Sequence, residues 1–360
     1  MAPRCCPSSR QVGRDQWCPR SQPVGRDGAA ARAPAGSAVT AAAAGSHARS
    51  QGDACSVVWD DAEASALGTA AVAMFWIALE QTGPWGREAA TQSHLDPDVG
   101  MALDRRCQEA GGRLILIRRP GAHSDTHQIR PQRVYVAGGL ADRPWLLETD
   151  LDDPAQLLGL AWAALGDGAM DDVQDSLPEL DESPAPVLMV CTNSKRDVCC
   201  AVRGRPVALE SSAQRPGQVW ECSHTGGHRF APAGVLLPYG QTLARLSPAS
   251  AVAAVDAATR GELPAELLGP AYDRGRSHLP PPAQAAESVV RQQIKEPSLV
   301  ALSTTATPQQ GRDNAWQCRV SHADGRRWDV VSVRSPGEDT RPESCGKAAV
   351  PTWQWDCTIV

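Results

Sequence analysis

Apolar segments in the first half of the chain predict four strands and two helices in a definite order. The mostly apolar segment 74–81 is typical of a buried strand, and a helix is predicted at 97–110. Shorter apolar runs predict strands at 114–118, 133–137 and 145–148, and a second helix is predicted at 154–165. The order is therefore strand, helix, strand, a pair of strands, and helix.

The second half repeats this order. Its strands are predicted at 186–191, 219–222, 234–237 and 242–246, and its helices at 198–210 and 248–259. This order is typical of the thioredoxin-like fold. The pattern therefore predicts an α/β protein with two thioredoxin-like copies in tandem, at 55–170 and 185–280. The acidic stretch 171–184 is predicted to be the linker between them.

The two ends of the chain differ in composition from the part between them. Arg, Ala, Gly, Pro and Ser prevail over residues 1–52, which are predicted to form a disordered leader. After residue 280, a helix at 285–294 and a hairpin with strands at 316–320 and 327–331 predict a small C-terminal α+β appendage over 281–360. The cysteines of this appendage are too widely spaced to predict a metal site: Cys318, Cys345 and Cys357.

Charge and hydropathy argue against two classes of partner. The 35 basic and 41 acidic residues give a formal net charge of -6, and no run of Lys or Arg would follow a phosphate backbone, so no nucleic-acid partner is expected. No apolar run reaches the length of about 18 residues that a membrane span needs, so no membrane association is expected. We expect a cytoplasmic protein, in which cysteines serve metals or redox chemistry more often than structural disulfides.

Candidate metal ligands are concentrated between residues 191 and 228. This segment holds four of the twelve cysteines and two of the eight histidines: Cys191, Cys199, Cys200, Cys222, His224 and His228. Thiolates and imidazoles are ligands of soft metal centres. Gly226 and Gly227 favour a tight loop between the two histidines, and glycines let the backbone come close to a bound group.

The residues alone leave several interpretations open. Cys199 and Cys200 are adjacent, so their side chains diverge and only one of them is expected to reach a given metal. Cys191 and Cys222 lie on predicted strands and are also compatible with a place in the core. Zinc suits two thiolates and two imidazoles, although the eight residues between Cys191 and Cys200 differ from the short knuckles of zinc fingers. A thiol oxidoreductase normally has a CxxC motif at the start of a helix, which this chain lacks.

Five short blocks together resemble the sucrase/ferredoxin-like family, which includes thioredoxin-like ferredoxins and the fungal actin patch distribution protein. The resemblance extends over about residues 55–280 and is carried by 191–200 (CTNSKRDVCC), 203–206 (RGRP), 219–230 (VWECSHTGGHRF), 236–240 (LLPYG) and 80–86 (EQTGPWG). It implies a thioredoxin-like fold with a [2Fe-2S] cluster held by two cysteines and two histidines. Carried over residue by residue, the implied ligands are Cys191, Cys200, His224 and His228, with Cys199 and Cys222 as less favoured candidates.

The resemblance also implies a function. The first copy has 81–86 (QTGPWG) where the second has Cys191, so we expect it to bind no soft metal and to act as a partner or scaffold domain. The expected function is one-electron transfer between redox donor and acceptor proteins that the sequence does not identify. An electron-transfer protein is expected rather than an enzyme with its own substrate. The alternatives are a structural zinc protein and a metal-free, thiol-dependent oxidoreductase.

Overall fold

A large mixed sheet forms the centre of the computed structural model, which describes residues 54–121 and 131–360. Within these residues the sheet has ten strands: β1 (Trp76–Glu80), β2 (Arg113–Arg118), β3 (Gln132–Gly138), β4 (Trp145–Leu151), β5 (Asp181–Glu182), β6 (Val187–Cys191), β7 (Val219–Cys222), β8 (Gly234–Leu237), β9 (Gln241–Leu243) and β10 (Asp273–Arg276). The α-helices of this region are α1 (Cys55–Asp61), α2 (Pro97–Glu109), α3 (Trp162–Asp167), α4 (Met170–Ser176), α5 (Val198–Gln214) and α6 (Pro248–Ala258). The predicted leader, residues 1–52, lies outside the described residues.

The strand order is β10-β9-β8-β6-β7-β2-β1-β3-β4-β5, and it contains one arrangement twice. In the first half, β1 is parallel to β2 and antiparallel to β3, and β3 is antiparallel to β4. Strands β6, β7, β8 and β9 have the same relations in the second half. The halves join where β2 pairs antiparallel with β7, so they form one continuous sheet. The mixed α/β class predicted from the sequence is confirmed.

The central strand of each half is buried along its whole length. All residues of β1 and β6 are buried, which explains why both segments appear in the sequence as nearly continuous apolar runs. One core cluster contains residues of both halves, among them Trp76 of β1 and Met189 of β6. Tyr135 of β3 and Trp220 of β7 meet edge to face in this cluster, with ring centroids 5.8 Å apart. The two halves therefore share a hydrophobic core as well as a sheet.

The segment between β4 and β6 differs from the prediction. The single helix predicted at 154–165 is wrong, because a 3-10 helix at Pro154–Gly159 is followed by the extended residue Leu160 and only then by α3. Leu160 is buried, so the apolar residues of this stretch do not lie on one helical face. The residues predicted as an acidic linker, 171–184, contain most of α4 as well as β5, which pairs with β4.

A second, smaller sheet follows the large one. Helix α7 (Pro281–Ile294) leads into four antiparallel strands that pair in chain order: β11 (Leu302–Pro308), β12 (Ala315–His322), β13 (Arg327–Pro342) and β14 (Ala349–Ile359). The hairpin predicted from the sequence is present as β12 and β13. Helix α7 begins earlier than predicted because its prolines are compatible with the first turn of a helix. No helix in the two described ranges is long and apolar enough to cross a membrane.

A buried ion pair joins the two sheets through α7. Arg276 of β10 donates two hydrogen bonds to the Glu287 carboxylate of α7, at 2.7 and 2.8 Å. Thr304 of β11 donates to the same carboxylate at 2.8 Å, and Arg291 lies 3.5 Å from it. Glu287 is only 3% exposed, so its charge depends on these partners in place of water.

Candidate metal centre

The two predicted ligand blocks follow adjacent strand ends. Strands β6 and β7 are parallel, and their last residues, Cys191 and Cys222, are paired in the register. Because the carboxyl ends of parallel strands lie at the same edge of a sheet, the loops after β6 and β7 leave it side by side. The first loop leads into α5, whose first turn carries the adjacent cysteines, and the second loop holds the two histidines. The sheet therefore brings both blocks to one place.

Cys191 and Cys200 form a hydrogen-bonded thiol pair beside His224. Both cysteines are buried, and Cys191 Sγ lies 3.8 Å from the carbonyl oxygen of Ser223. Hydrogen bonding first to Cys200 and then to His224 holds the pKa of Cys191 well below its usual range in spite of burial. The same hydrogen bond, together with burial, holds the pKa of Cys200 well above its usual range. Cys191 is therefore the first thiolate of the pair.

The two histidines lie beside each other at the same site. Their ring centroids are 6.0 Å apart and the rings are inclined by 29°. The Nδ1 atoms of His224 and His228 are both buried, and neither has a hydrogen-bond partner among the described residues. Burial lowers the pKa of His228. The charge of Asp197 raises this pKa by a smaller amount, so the neutral imidazole is favoured. A neutral imidazole nitrogen without a partner is a potential metal ligand.

The loop between the histidines closes over a buried cation. Gly226 and Gly227 both have positive φ, at 81° and 69°, which glycine adopts without strain. A Cβ at Gly227 would collide with the guanidinium group of Arg274, which donates to the Gly226 carbonyl oxygen at 3.0 Å. Burial lowers the pKa of Arg274 to about 9, an effect that the charges of Cys191 and Cys200 oppose. Arg274 lies on β10, far from the motifs in sequence, and no local sequence signal pointed to it.

Cys199 faces a different set of thiols. Its Sγ lies 3.5 Å from Cys55 Sγ, at the start of α1, and 3.1 Å from Cys345 Sγ, in the loop between β13 and β14. Cys345 Sγ and Cys55 Sγ are 3.6 Å apart, and both carboxylate oxygens of Asp197 lie 3.8 Å from Cys55 Sγ. The ligand atoms of these four residues all lie within 4.8 Å of one another, so they could hold a metal ion. We call Cys55, Cys199, Cys345 and Asp197 the three-cysteine group.

The thiols of the three-cysteine group differ in acidity. The hydrogen bond from Cys55, followed by contacts with Ser56, lowers the pKa of Cys199 to about 6. The hydrogen bond to Cys199 and burial raise the pKa of Cys55. Burial and then Cys199 raise the pKa of Cys345 to about 11. Cys199 is therefore the most acidic thiol of the group, as a potential metal ligand should be. Cys55 and Cys345 lie far in sequence from the segment 191–228, and no local motif marks either of them as a ligand.

Asp197 connects the three-cysteine group with the histidine site. It caps α5, where its Oδ1 accepts from the Cys199 backbone N–H at 2.9 Å. Its Oδ2 accepts from Ser344 Oγ and from the Cys345 backbone N–H, each at 2.8 Å. Burial raises the pKa of Asp197, but these donors outweigh burial and the net shift is downward. The same Oδ2 lies 3.8 Å from His228 Nε2, so Asp197 stands between the two groups.

Cys222 lies on the core side of the candidate site. It is fully buried in the core cluster that both halves share, in register with Cys191. Burial, and then the charge of Cys191, hold its pKa well above the usual range. A thiol that resists ionisation in an apolar environment packs as a small hydrophobic residue.

The first half supports the loop that follows Cys191. The Gly86 carbonyl oxygen, in the loop after β1, accepts from Asn193 Nδ2 at 2.9 Å. Arg118 of β2 donates to Glu221 Oε2 at 2.9 and 2.7 Å, and Thr192 Oγ1 donates to the same oxygen at 2.8 Å. The bonds of Asn193 and Arg118 join the halves beside the end of β6. The first half therefore positions the thiol loop from across the β2–β7 junction.

Gly204 lets α5 approach the strand end that carries Cys191. A Cβ at position 204 would collide with the Cys191 carbonyl oxygen, which is backbone and cannot easily move. Alanine is the better helix former by about 1 kcal/mol. We nevertheless expect Gly204→Ala to lower the free energy of unfolding by about 1–3 kcal/mol because of this clash. Chemical denaturation would measure it, with Ser212→Ala in the same helix as control. A stability equal to or above that of the wild type would contradict the close packing.

The fold and these clusters define a mixed α/β protein with side chains that could hold a metal ion. The family model described as sucrase/ferredoxin-like matches residues 71–268, more than half of the 360-residue chain. The chain therefore belongs to the sucrase/ferredoxin-like family, and the resemblance inferred from its motifs is confirmed. No curated protein and no solved structure matches the chain.

Proposed function

We propose that the chain is a one-electron carrier that holds a [2Fe-2S] cluster through Cys191, Cys200, His224 and His228. The proposal rests on two buried imidazole nitrogens, His224 Nδ1 and His228 Nδ1, which have no described partner and lie beside a buried thiol pair. Burying such a nitrogen without a partner costs free energy, which a bond to a metal would offset. When bound, the cluster accepts and releases one electron at a time.

The spread of the four donors favours a cluster over a single zinc ion. A tetrahedral zinc ion requires all of its ligand atoms to be close neighbours, about 4 Å apart or less. Among the described residues, the three-cysteine group is the one in which three or more ligand atoms come within 4.8 Å of one another. The four candidate donors of the Cys191 site are not such a group, and they fall into a thiol pair and a histidine pair. Two pairs of ligands suit two iron atoms.

The surroundings of the site suit electron transfer. The thiol side is buried, whereas the His228 side chain is 20% exposed, so the histidine side is the shorter path to a redox partner. The positive charge of Arg274 lies close enough to Cys191 and Cys200 to interact with their thiolates. A buried cation near the site stabilises an added electron and so raises the reduction potential.

The remaining assignments belong to the same proposal. Each half has the element order of a thioredoxin-like copy, and we infer that only the second copy holds the cluster. The first copy acts as a scaffold through the contacts of Arg118 and Gly86. The donor and acceptor are separate redox proteins, and the chain works in the cytoplasm, where thiols remain reduced.

The proposal is tested on the full-length protein purified without oxygen. We expect a red-brown protein with about two iron and two sulfide ions per chain. After reduction, electron paramagnetic resonance should show a paramagnetic [2Fe-2S] centre, and pulsed measurements should show coupling to the nitrogen nuclei of the histidine ligands. Reconstitution with iron and sulfide distinguishes a cluster lost during purification from a site that never held one.

The alternative functions give different results in the same experiment. A colourless protein with zinc at the Cys191 site, after attempted reconstitution, would indicate the structural zinc protein. A colourless protein that binds neither metal there, but exchanges disulfides with a dithiol substrate, would indicate the thiol-dependent oxidoreductase. A cluster without nitrogen coupling would exclude the two histidines as ligands.

A further inference from the structure

We propose that the three-cysteine group is a second metal site, a structural zinc site with Cys55, Cys199, Cys345 and Asp197 as its ligands. It is separate from the cluster site, because the adjacent residues Cys199 and Cys200 face different groups. The proposal does not depend on the proposed electron transfer. Either site could be present without the other.

The distances between the thiols fit zinc after small movements. A Zn–S bond of about 2.3 Å in tetrahedral geometry places neighbouring sulfur atoms about 3.8 Å apart. The three sulfur pairs of the group are 3.1, 3.5 and 3.6 Å apart. Widening these pairs by about 0.7, 0.3 and 0.2 Å, respectively, would open the centre of this triangle to an ion. Thiolates are soft ligands and select zinc over magnesium or calcium.

Asp197 is well placed to be the fourth ligand. Three donors, the backbone N–H groups of Cys199 and Cys345 and the Ser344 hydroxyl, hold its carboxylate in one orientation. Outer hydrogen bonds of this kind orient metal ligands. The second residue of the long helix α5 is Cys199, so the positive end of the helix dipole favours its thiolate.

The burial of the group fits a structural site with an entry path. Cys55 is 0% and Cys199 2% exposed, whereas Cys345 is half-buried on a surface loop through which an ion can enter. The ligands belong to three segments distant in sequence: α1, the start of α5, and the loop between β13 and β14. A zinc ion would therefore join the small C-terminal sheet to the half that carries Cys191. Next to it, Trp59 Nε1 donates to the Pro342 carbonyl oxygen at 2.9 Å, a second bond between α1 and this region.

A disulfide is the competing use of these thiols. Cys199 and Cys345 are the closest pair, although 3.1 Å exceeds the disulfide bond length of about 2.0 Å. A Cys199–Cys345 disulfide would leave Cys55 and the oriented Asp197 carboxylate without a role, and its formation would require an oxidant. Zinc binding uses all four side chains and changes no oxidation state.

Zinc and iron are measured separately in the full-length protein by mass spectrometry of the metals. We expect about one zinc ion per chain in the wild type. After a chelator has removed the metal, the reduced protein should bind zinc again when zinc alone is added. Cys345→Ala and Cys55→Ser should each lower the zinc content about tenfold and leave iron unchanged. Cys357→Ser, which alters a half-buried cysteine outside the group, should retain zinc. Cobalt in place of zinc should give thiolate-to-cobalt charge-transfer absorption that is lost in Cys345→Ala.

Several results would overturn the proposal. These are a wild-type protein that takes up no zinc, full zinc retention in both group variants, iron in place of zinc at the group, or a Cys199–Cys345 disulfide found by peptide mass spectrometry under reducing conditions. The titration of the wild type needs no variant, so a misfolded Cys55→Ser protein does not prevent the test. A wild-type protein that binds zinc but no iron would count against the proposed electron carrier and leave the zinc site standing.

Discussion

Replacing Cys191 or Cys200 by serine should remove the visible absorption of the anaerobically purified protein and lower its iron content about tenfold. Serine preserves the size of each side chain but replaces the soft sulfur ligand by a hydroxyl that remains protonated at neutral pH. Both thiols belong to one hydrogen-bonded pair next to His224, so the loss of either leaves an incomplete set of ligands. Iron analysis and absorption spectroscopy measure the effect.

Cys199→Ser is the matched control for this experiment. Cys199 is adjacent to Cys200 in the same helical turn and equally buried, but its thiol faces Cys55 and Cys345. We expect the variant to keep its iron and colour while it loses zinc. Iron loss in Cys199→Ser together with retention in Cys200→Ser would reverse the assignment of the two cysteines.

Glu287→Ala should lower the free energy of unfolding by about 3–5 kcal/mol at pH 7, because it leaves Arg276 buried without its carboxylate partner. Burial alone raises the pKa of Glu287, but Arg276 and Arg291 outweigh it and lower the value from 4.5 to about 2. A depressed carboxyl pKa stabilises the folded state above the unfolded value. The contribution of Glu287 is therefore complete above about pH 5 and is lost as the pH falls from 4.5 towards 2.

Chemical denaturation at a series of pH values would measure the effect of Glu287→Ala. The difference between wild type and variant should be largest near neutral pH and smaller at pH 3. Glu266→Ala, which removes an exposed carboxylate, should change the stability by less than about 0.5 kcal/mol. A difference that stays constant down to pH 3 would show that packing, and not the ion pair, accounts for the loss.

The reliability of the predicted elements depended on the strength of the local pattern. Strands β1 and β6 are nearly continuous apolar runs because the sheet buries both of their faces, and such runs are evident in the sequence. The segment predicted as a helix at 154–165 is also rich in apolar residues, but Leu160 enters the core from an extended backbone and interrupts the helix. Local composition does not show whether a leucine is buried from a helix or from an extended backbone.

For the candidate ligands too, the sequence indicated some features and the packing decided others. The local motifs around Cys191, Cys200, His224 and His228 carry the resemblance to the family, and that resemblance implied these four residues as ligands. The direction of each thiol was not predictable, since adjacent residues of a helix turn point about 100° apart and the packing around them decides which thiol meets which partner. The structure turns Cys200 towards Cys191 and Cys199 towards Cys55 and Cys345.

By itself, the sequence determined the mixed α/β class and the family, because these depend on local periodicity and short motifs, and the family resemblance implied the four candidate ligands. Only the tertiary structure decided that the halves share one sheet and one core, that Arg274 lies beneath the histidine loop, and that Cys55 and Cys345 meet Cys199. These contacts join residues up to 290 positions apart. They arise because packing the two sheets and α7 brings distant segments together, and no local sequence pattern predicts these contacts.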